Sequence, residues 1–200
     1  MMNAPVPSLR FELPARVGHR SAFMRIPTVT KFFIVCMLVL CAVVWTTPVG
    51  AQRWRQATSA ELRRVIPARA PVINENIETE FRTASGVTDG SGRFIAGVVM
   101  ITAGYSAEGK YSHFFLTQAP LRVGNVTLQP GQYVLGYRRA GDDTIRVSLY
   151  RASSGEEVGE AEARLNRKSS AVRSLLINPP VGGRATIQIG RFLLDYRVAE

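Results

Sequence analysis

Gln132-Tyr-Val-Leu-Gly-Tyr-Arg138 and Thr144-Ile-Arg-Val-Ser-Leu-Tyr150, joined through Gly141-Asp-Asp143, decide the fold class. In the second segment Ile145, Val147 and Leu149 alternate with Thr144, Arg146, Ser148 and Tyr150. A period of two turns one set of side chains to a core and the other to water, as in a half-buried strand. The Gly-Asp-Asp stretch is turn chemistry, so the two segments read as an antiparallel pair.

The same grammar extends both ways. Upstream, Leu121-Arg-Val and Val126-Thr-Leu flank Gly124-Asn125, a two-residue hairpin signal, and Pro130-Gly131 turns the chain into Gln132. Tyr111 to Thr117 alternates. Phe94 to Ile101 is apolar on both faces, and Gly97 inside it indicates a bulge or a close backbone approach. Ile77, Thr79, Phe81 and Thr83 alternate with Glu78, Glu80 and Arg82, and Gly86 to Gly92 reads as a turn cluster. Downstream, Ser153-Ser-Gly155 is a turn. Glu156 to Arg167 has helical composition, but Val158, Glu160, Glu162 and Arg164 alternate, and an edge strand is the reading adopted. Val172 to Ile177, Ala185 to Ile189 and Phe192 to Val198 follow, parted by Asn178-Pro-Pro-Val-Gly-Gly183 and by Gly190-Arg191. The expectation is an all-β fold, an antiparallel β-sandwich or jelly-roll-like arrangement of about nine strands.

One short helix precedes the strands. Thr58-Ser-Ala-Glu61 is a capping box, Leu62, Val65 and Ile66 follow at helical spacing, and Pro67 ends the run. The helix is too short for a core element, its apolar stripe is expected to dock on the β domain or tether it to the membrane side, and Ala68-Arg-Ala-Pro71 reads as an extended linker.

Phe32 to Trp45 is an uncharged apolar run, preceded by Arg25 and Lys31 and followed by Pro48, Val49 and Ala51. A basic flank, an apolar stretch and small residues beyond it make a signal peptide that starts at Met24 and is cut after Ala51. At 14 residues the run falls short of the ~18 expected of a spanning helix, the alternative being an uncleaved single-pass anchor. Either way the basic N-terminal flank places residues 52–200 outside the membrane, periplasmic or secreted. The expected organisation is 1–23 an extension or misassigned start, 24–51 the signal, 52–75 helix and linker, and 76–200 the β domain. Cys36 and Cys41 both lie in the apolar run, so the mature part is cysteine-free and folds without disulfides. Its 149 residues suffice to bury roughly 70% of the unfolded-chain surface.

Residues 52–200 carry 20 basic and 14 acidic side chains. The excess is scattered, with no basic stripe interleaved with aromatics, which argues against nucleic acid. An anionic cell-surface polymer or a lipid headgroup fits the charge. The membrane is engaged only through residues 32–45, if these are not removed.

Candidate sites are few. Gly104-Tyr-Ser-Ala-Glu-Gly-Lys110 approaches a phosphate-binding loop, but Tyr111 stands where Ser or Thr is needed and a strand pattern follows where a helix should open. A strand-to-strand loop is the better reading. His113 is the only histidine in the mature part, and Ser112 should point to the opposite strand face, so the two should not pair as nucleophile and base. One histidine without cysteine makes no zinc site, and no metal or cofactor is implied. Asp89-Gly-Ser-Gly92 lacks the ligands of a calcium loop. Tyr137 and Tyr150 lie on neighbouring strands and are candidates, with His113, for a ligand-stacking face. No catalytic residues emerge.

The segment Val126 to Gly136, through Leu128, Pro130, Gly131 and Tyr133, resembles the L-x-P/A-G-x-Y hairpin of exported bacterial β-sandwich domains, and Ala185 to Arg191 is similar to their closing strand. Residues 58–200 thus resemble uncharacterised secreted, acidobacteria-like proteins. The resemblance implies an extracytoplasmic β-sandwich with no activity to carry over. The expected function is non-enzymatic binding or scaffolding of an envelope component or glycan. The alternative is a carbohydrate-active or other hydrolase whose carboxylates meet only in the fold, about 5–9 Å apart.

Overall fold

Strand alternation, rather than helix propensity, governs the chain from Arg55 to Val198. The computed structural model describes residues 54–102 and 111–199, all within one compact unit, Gly50–Glu200. The apolar run 32–45 and its cleavage region, and the loop Gly104–Lys110, lie outside the described residues. No helix among the described residues is long and apolar enough to cross a membrane.

The fold is mostly β: among the described residues there are one helix and thirteen strands, the strands forming a curled antiparallel sheet. The elements are β1 (Arg55–Gln56), α1 (Ser59–Val65), β2 (Arg69–Val72), β3 (Glu75–Thr88), β4 (Phe94–Met100), β5 (His113–Thr117) and β6 (Leu121–Val123). They continue with β7 (Val126–Leu128), β8 (Gly131–Arg139), β9 (Thr144–Arg151), β10 (Glu157–Leu165), β11 (Arg173–Ile177), β12 (Arg184–Gly190) and β13 (Phe192–Val198). The path through the sheet is β1-β3-β4-β5-β8-β9-β10-β13-β12-β11, with β2 on β3 and the β6–β7 hairpin attached to β13. The strands the alternation did not reveal are β1 and β2, of two and four residues, while β6 and β7 are the expected Gly124-Asn125 hairpin. Such pieces are too short to show a period of two.

The inward half of the Thr144–Tyr150 alternation is realised, Ile145, Val147 and Leu149 being buried in the main core with Phe115, Tyr133, Leu135, Ile187, Leu194 and Tyr196, but of the set expected to face water Ser148 is buried and Tyr150 packs on a second core. Both ends of the curled sheet contribute to that core, Val87 from β3 and Ile177 from β11. The two ends meet through Ser85 on β3, whose Oγ accepts the backbone N–H of Ile177 on β11 at 2.9 Å. Gly97 on β4 serves this closure. A Cβ there would lie 3.0 Å from Leu175 Cδ2 and 3.1 Å from the Phe114 carbonyl, so the close approach read from the sequence is real. Glu156 to Arg167 is strand β10, as chosen over helix. It pairs with β9 along its length but with β13 only at Arg164–Leu165.

Three local readings change. Gly86 lies inside β3 rather than in a turn, and the turn is Asp89–Arg93, closed by the Asp89 carboxylate. Ala68–Pro71 is no linker, since β2 pairs with β3 from Arg69↔Glu78 to Val72↔Glu75. The helix is a core element. Leu62 and Ile66 are buried with Ala70, Val72, Val98, Phe114 and Val134 in a second core on the other face of the sheet. Its capping box is formed as expected, Thr58 Oγ1 accepting Glu61 N–H and Glu61 accepting Thr58 N–H. Gly86 explains the docking. A Cβ at Gly86 would lie 2.8 Å from Leu62 Cδ2, from Ala96 Cβ and from the Ile95 carbonyl. Helix shortness measures stability in isolation, whereas here tertiary burial of one face decides.

Candidate functional site

Two places bring polar side chains together in ways that the strand pattern alone does not explain. The first is His113. The imidazole is buried in the main-core face of β5, beside Phe115. Its Nε2 faces the Ser174 carbonyl at 3.2 Å and its Nδ1 faces Ser112 Oγ at 2.8 Å. Because a carbonyl can only accept, the proton sits on Nε2, and Ser112 O–H donates to Nδ1. Ser112 therefore does reach His113, contrary to the strand-parity argument. The reason is local: β5 begins at His113, and Ser112 lies in the bend before it, where alternation does not apply. Burial pushes the imidazole below its ordinary histidine value, and the Ser174 carbonyl offsets this only in part. Both ring nitrogens are thus bonded, Nε2 to β11 through Ser174, and the backbone N–H of Ser112 donates to the Leu135 carbonyl at 2.8 Å and holds the serine against β8. That is a structural lock.

Of the three tyrosine and histidine candidates, the fold unites two. His113 and Tyr137 face each other at 6.0 Å between ring centroids. Tyr150 is on the other face of the sheet. The β8–β9 register pairs Tyr137 with Val147 and Tyr150 with Val134, an odd offset that sends the two tyrosines to opposite sides. Tyr150 packs edge-on against Tyr111 at 5.7 Å. No stacking face of Tyr137 and Tyr150 exists.

The second place is on the outer face of β12, β13 and β6. The registers put Arg184 opposite Arg197 and Arg197 opposite Arg122. Three arginines thus stand in one row across three adjacent strands, spanning about 10 Å at ordinary strand spacing. All three are exposed. Asp195, two residues from Arg197 on the same face, lines a cleft of about 500 Å³ with them, Gly124, Ala185 and Tyr196. The cleft exists because β13 changes partner along one edge: Phe192–Leu193 pairs with β10, and Tyr196–Val198 pairs with β6. Between the two partners the Gly124 hairpin tip bends in with φ +57, where a Cβ would lie 3.1 Å from Ala161 Cβ. Glycine there meets a left-handed backbone and a close contact together.

Like charges directly opposite on neighbouring strands destabilise a sheet. Among the described residues eight other arginines are ion-paired, whereas Arg63, Arg64, Arg69, Arg139, Arg173 and Arg191 stand without a carboxylate but are not aligned opposite one another. Glu160 accepts from Arg138 and Ser148 at 3.0 Å each and lies 3.5 Å from Arg146. Arg55–Glu61, Arg93–Asp89 and Arg167–Asp143 pair as well. Among the described residues, no carboxylate lies within ion-pair distance of Arg122, Arg184 or Arg197. Sequence reading missed this row because the three positions lie 62 and 13 residues apart, at 122, 184 and 197. Only the register aligns them.

A second cleft is lined by Glu160 and Glu162 with Arg146, Gly124 and Asn125. Both acids are engaged by arginines, Glu162 by Arg164 at 3.2 Å. No group of three His, Cys, Asp or Glu among the described residues could hold a metal ion. Comparison with known proteins finds no match for this chain, neither a family model, nor a curated protein, nor a solved structure.

Proposed function

We propose that residues 52–200 are an exported, non-enzymatic binding domain that holds an anionic envelope component on the Arg184–Arg197–Arg122 row. The carrying observation is the row itself: three exposed, uncompensated guanidiniums in register beside a cleft. Guanidinium is the side chain best suited to phosphate and carboxylate, through paired N–H donors. A polyanion or headgroup with closely spaced negative charges would relieve the mutual repulsion of the row on binding. In this reading the curled sheet works as a sandwich, its leaves β3-β4-β5-β8 and β10-β13-β12-β11 facing across the main core. Tyr133 supports that reading. Its hydroxyl donates to the Gln129 carbonyl at 2.6 Å, the bond of a tyrosine corner of the kind found in Greek-key sandwiches. The Leu128-Pro130-Gly131-Tyr133 motif supplies it.

Export rests on the apolar run 32–45 and its flanks, and the mass of the exported protein should correspond to a start at Gln52. A mature chain that begins before Phe32 would argue for an anchor instead.

The row is tested by Arg197→Thr. Removing the middle charge relieves both like-charge pairs, so the fold should gain about 0.2–1 kcal/mol while binding of inorganic phosphate or polyphosphate weakens. Thermal unfolding and calorimetric titration at low salt read the two effects. A variant that loses stability and still binds these anions as tightly as the parent would defeat the assignment.

A further inference from the structure

We infer that the cleft on β12, β13 and β6 takes a phosphate borne on a polyhydroxylated ring, a sugar phosphate, with the arginines holding the phosphate and Asp195 receiving ring hydroxyls. The inference rests on the anion-binding reading above and narrows it.

Its basis is the acid in the row. Asp195 shares a face with Arg197 and lines the same cleft as all three arginines. Yet no ion pair or side-chain hydrogen bond joins it to any of them. Seven acids elsewhere each hold an arginine in an ion pair, while among the described residues Glu78, Asp142 and Glu157, like Asp195, hold none; of these four only Asp195 lines a cleft with arginines. A site for a bare anion gains nothing from a carboxylate, which repels the ligand it should hold. A carboxylate does serve where the ligand brings hydroxyl donors beside its negative group, since an ionised acid is an acceptor only.

The spacing fits. Asp195 and Arg197 are two residues apart in a strand, which separates them by about 7 Å. One sugar ring bridges that distance between its phosphate and the hydroxyls on its far side. The flanks of Asp195 agree with a ring placed there. On the β6 side Gly124 lies next to Asp195, its N–H bonded to the Asp195 carbonyl at 2.9 Å. A Cβ there would meet Ala161 and no atom of Asp195. On the other side stands Thr186, paired with Asp195 in the register. Its hydroxyl already accepts from Asn178 Nδ2 at 2.9 Å. Thr186 therefore holds its place and does not swing across the acid. The cleft thus offers, in order along the face, a cationic end and an acceptor end, as a sugar phosphate requires. Three cations against one acid leave a net charge of +2 for a phosphate monoester dianion to neutralise.

The test compares glucose 1-phosphate, inorganic phosphate and glucose by calorimetric titration of the exported protein at low salt. The wild type should bind glucose 1-phosphate about ten-fold more tightly than inorganic phosphate, the worth of one or two hydrogen bonds to a charged acceptor. Asp195→Ala should remove that preference by weakening glucose 1-phosphate while leaving inorganic phosphate unchanged or tighter. Asp195→Asn, of the same size, controls for folding and should keep part of the preference. Equal binding of the two anions by the wild type, or equal tightening of both in Asp195→Ala, would overturn the inference and leave the anion-binding reading standing. Failure of both anions to bind overturns the two together. Vesicles separate the sources. Phosphatidylinositol vesicles that displace glucose 1-phosphate point to a lipid headgroup, and binding of the free sugar phosphate alone points to a soluble or polymer-borne one. Vesicles of phosphatidylglycerol that bind as well as phosphatidylinositol, with no affinity for free glucose 1-phosphate, would mark a charged membrane surface and sink the sugar specificity.

Discussion

His113 shows how much a single buried residue can report. It is neutral, enclosed, and bonded through both ring nitrogens. Its value in the folded protein is lowered by burial, so between that value and about 6.5 the unfolded chain binds a proton that the folded one does not. Stability contributed by this site is therefore complete above about pH 6.5 and is lost as the pH falls toward the folded value. The unfolding temperature should drop between pH 7.5 and 5, and His113→Gln should flatten that profile at some cost in stability at pH 7.5. An unchanged slope in the variant would show that another group titrates. Asp89 acts at lower pH. Burial opposes its ionisation, but the bonds from Arg93 and Ser91 prevail and hold its carboxyl below the ordinary range. Its contribution is present above about pH 4 and lost below it. Ile73 is a different kind of signal. A β-branched side chain at φ +56 is strained, yet its N–H bond to the Ala152 carbonyl at 2.7 Å holds it in the turn between β2 and β3.

At the scale of elements, the helix and the β2–β3 hairpin change the account of the N-terminal segment. α1 alone is marginal, but Leu62 is 4% exposed and sits over Gly86. Truncating it leaves a hole between helix and sheet that the backbone of β3 cannot fill. Leu62→Ala should cost about 2–4 kcal/mol in chemical denaturation, within the usual span for a buried leucine. A loss under about 1 kcal/mol would mean that the helix is peripheral, as its length suggested. The capping box was visible in Thr58 and Glu61 because a cap is local chemistry. The helix partner was not, because Gly86 looks like any turn glycine until Ala96 and Leu62 are brought against it.

For the molecule as a whole, the question is what stops a curled sheet from staying open. Ser85 is central: a buried hydroxyl on β3 accepts the Ile177 N–H from β11 and joins the two ends of the strand path. In Ser85→Ala that amide keeps its burial and loses its acceptor, which costs about 1–3 kcal/mol. Amide exchange of Ile177 should accelerate more than that of Leu149, deep in the same core. Uniform acceleration across the sheet would indicate that closure and core unfold as one step. The charge distribution also acts at this scale. The excess of basic residues looks scattered along the chain, and three of them become a site only when the sheet is assembled.

What the sequence determined by itself is what depends on neighbours along the chain. A period of two in Thr144–Tyr150, the Gly124-Asn125 hairpin, the Thr58–Glu61 cap and the all-β class each arise from contacts within a few residues, where spacing dictates geometry. The approach of Gly97 to another backbone was legible for the same reason, a residue without a side chain inside an apolar strand. The tertiary structure decided what depends on register and curl. It set Tyr137 and Tyr150 on opposite faces, brought Ser112 onto His113 by starting β5 only at His113, and aligned Arg122, Arg184 and Arg197. Register is set by the summed packing of whole strands, and a shift of one residue inverts every face. No single stretch of sequence encodes that sum, so the site became visible only once the strands were paired.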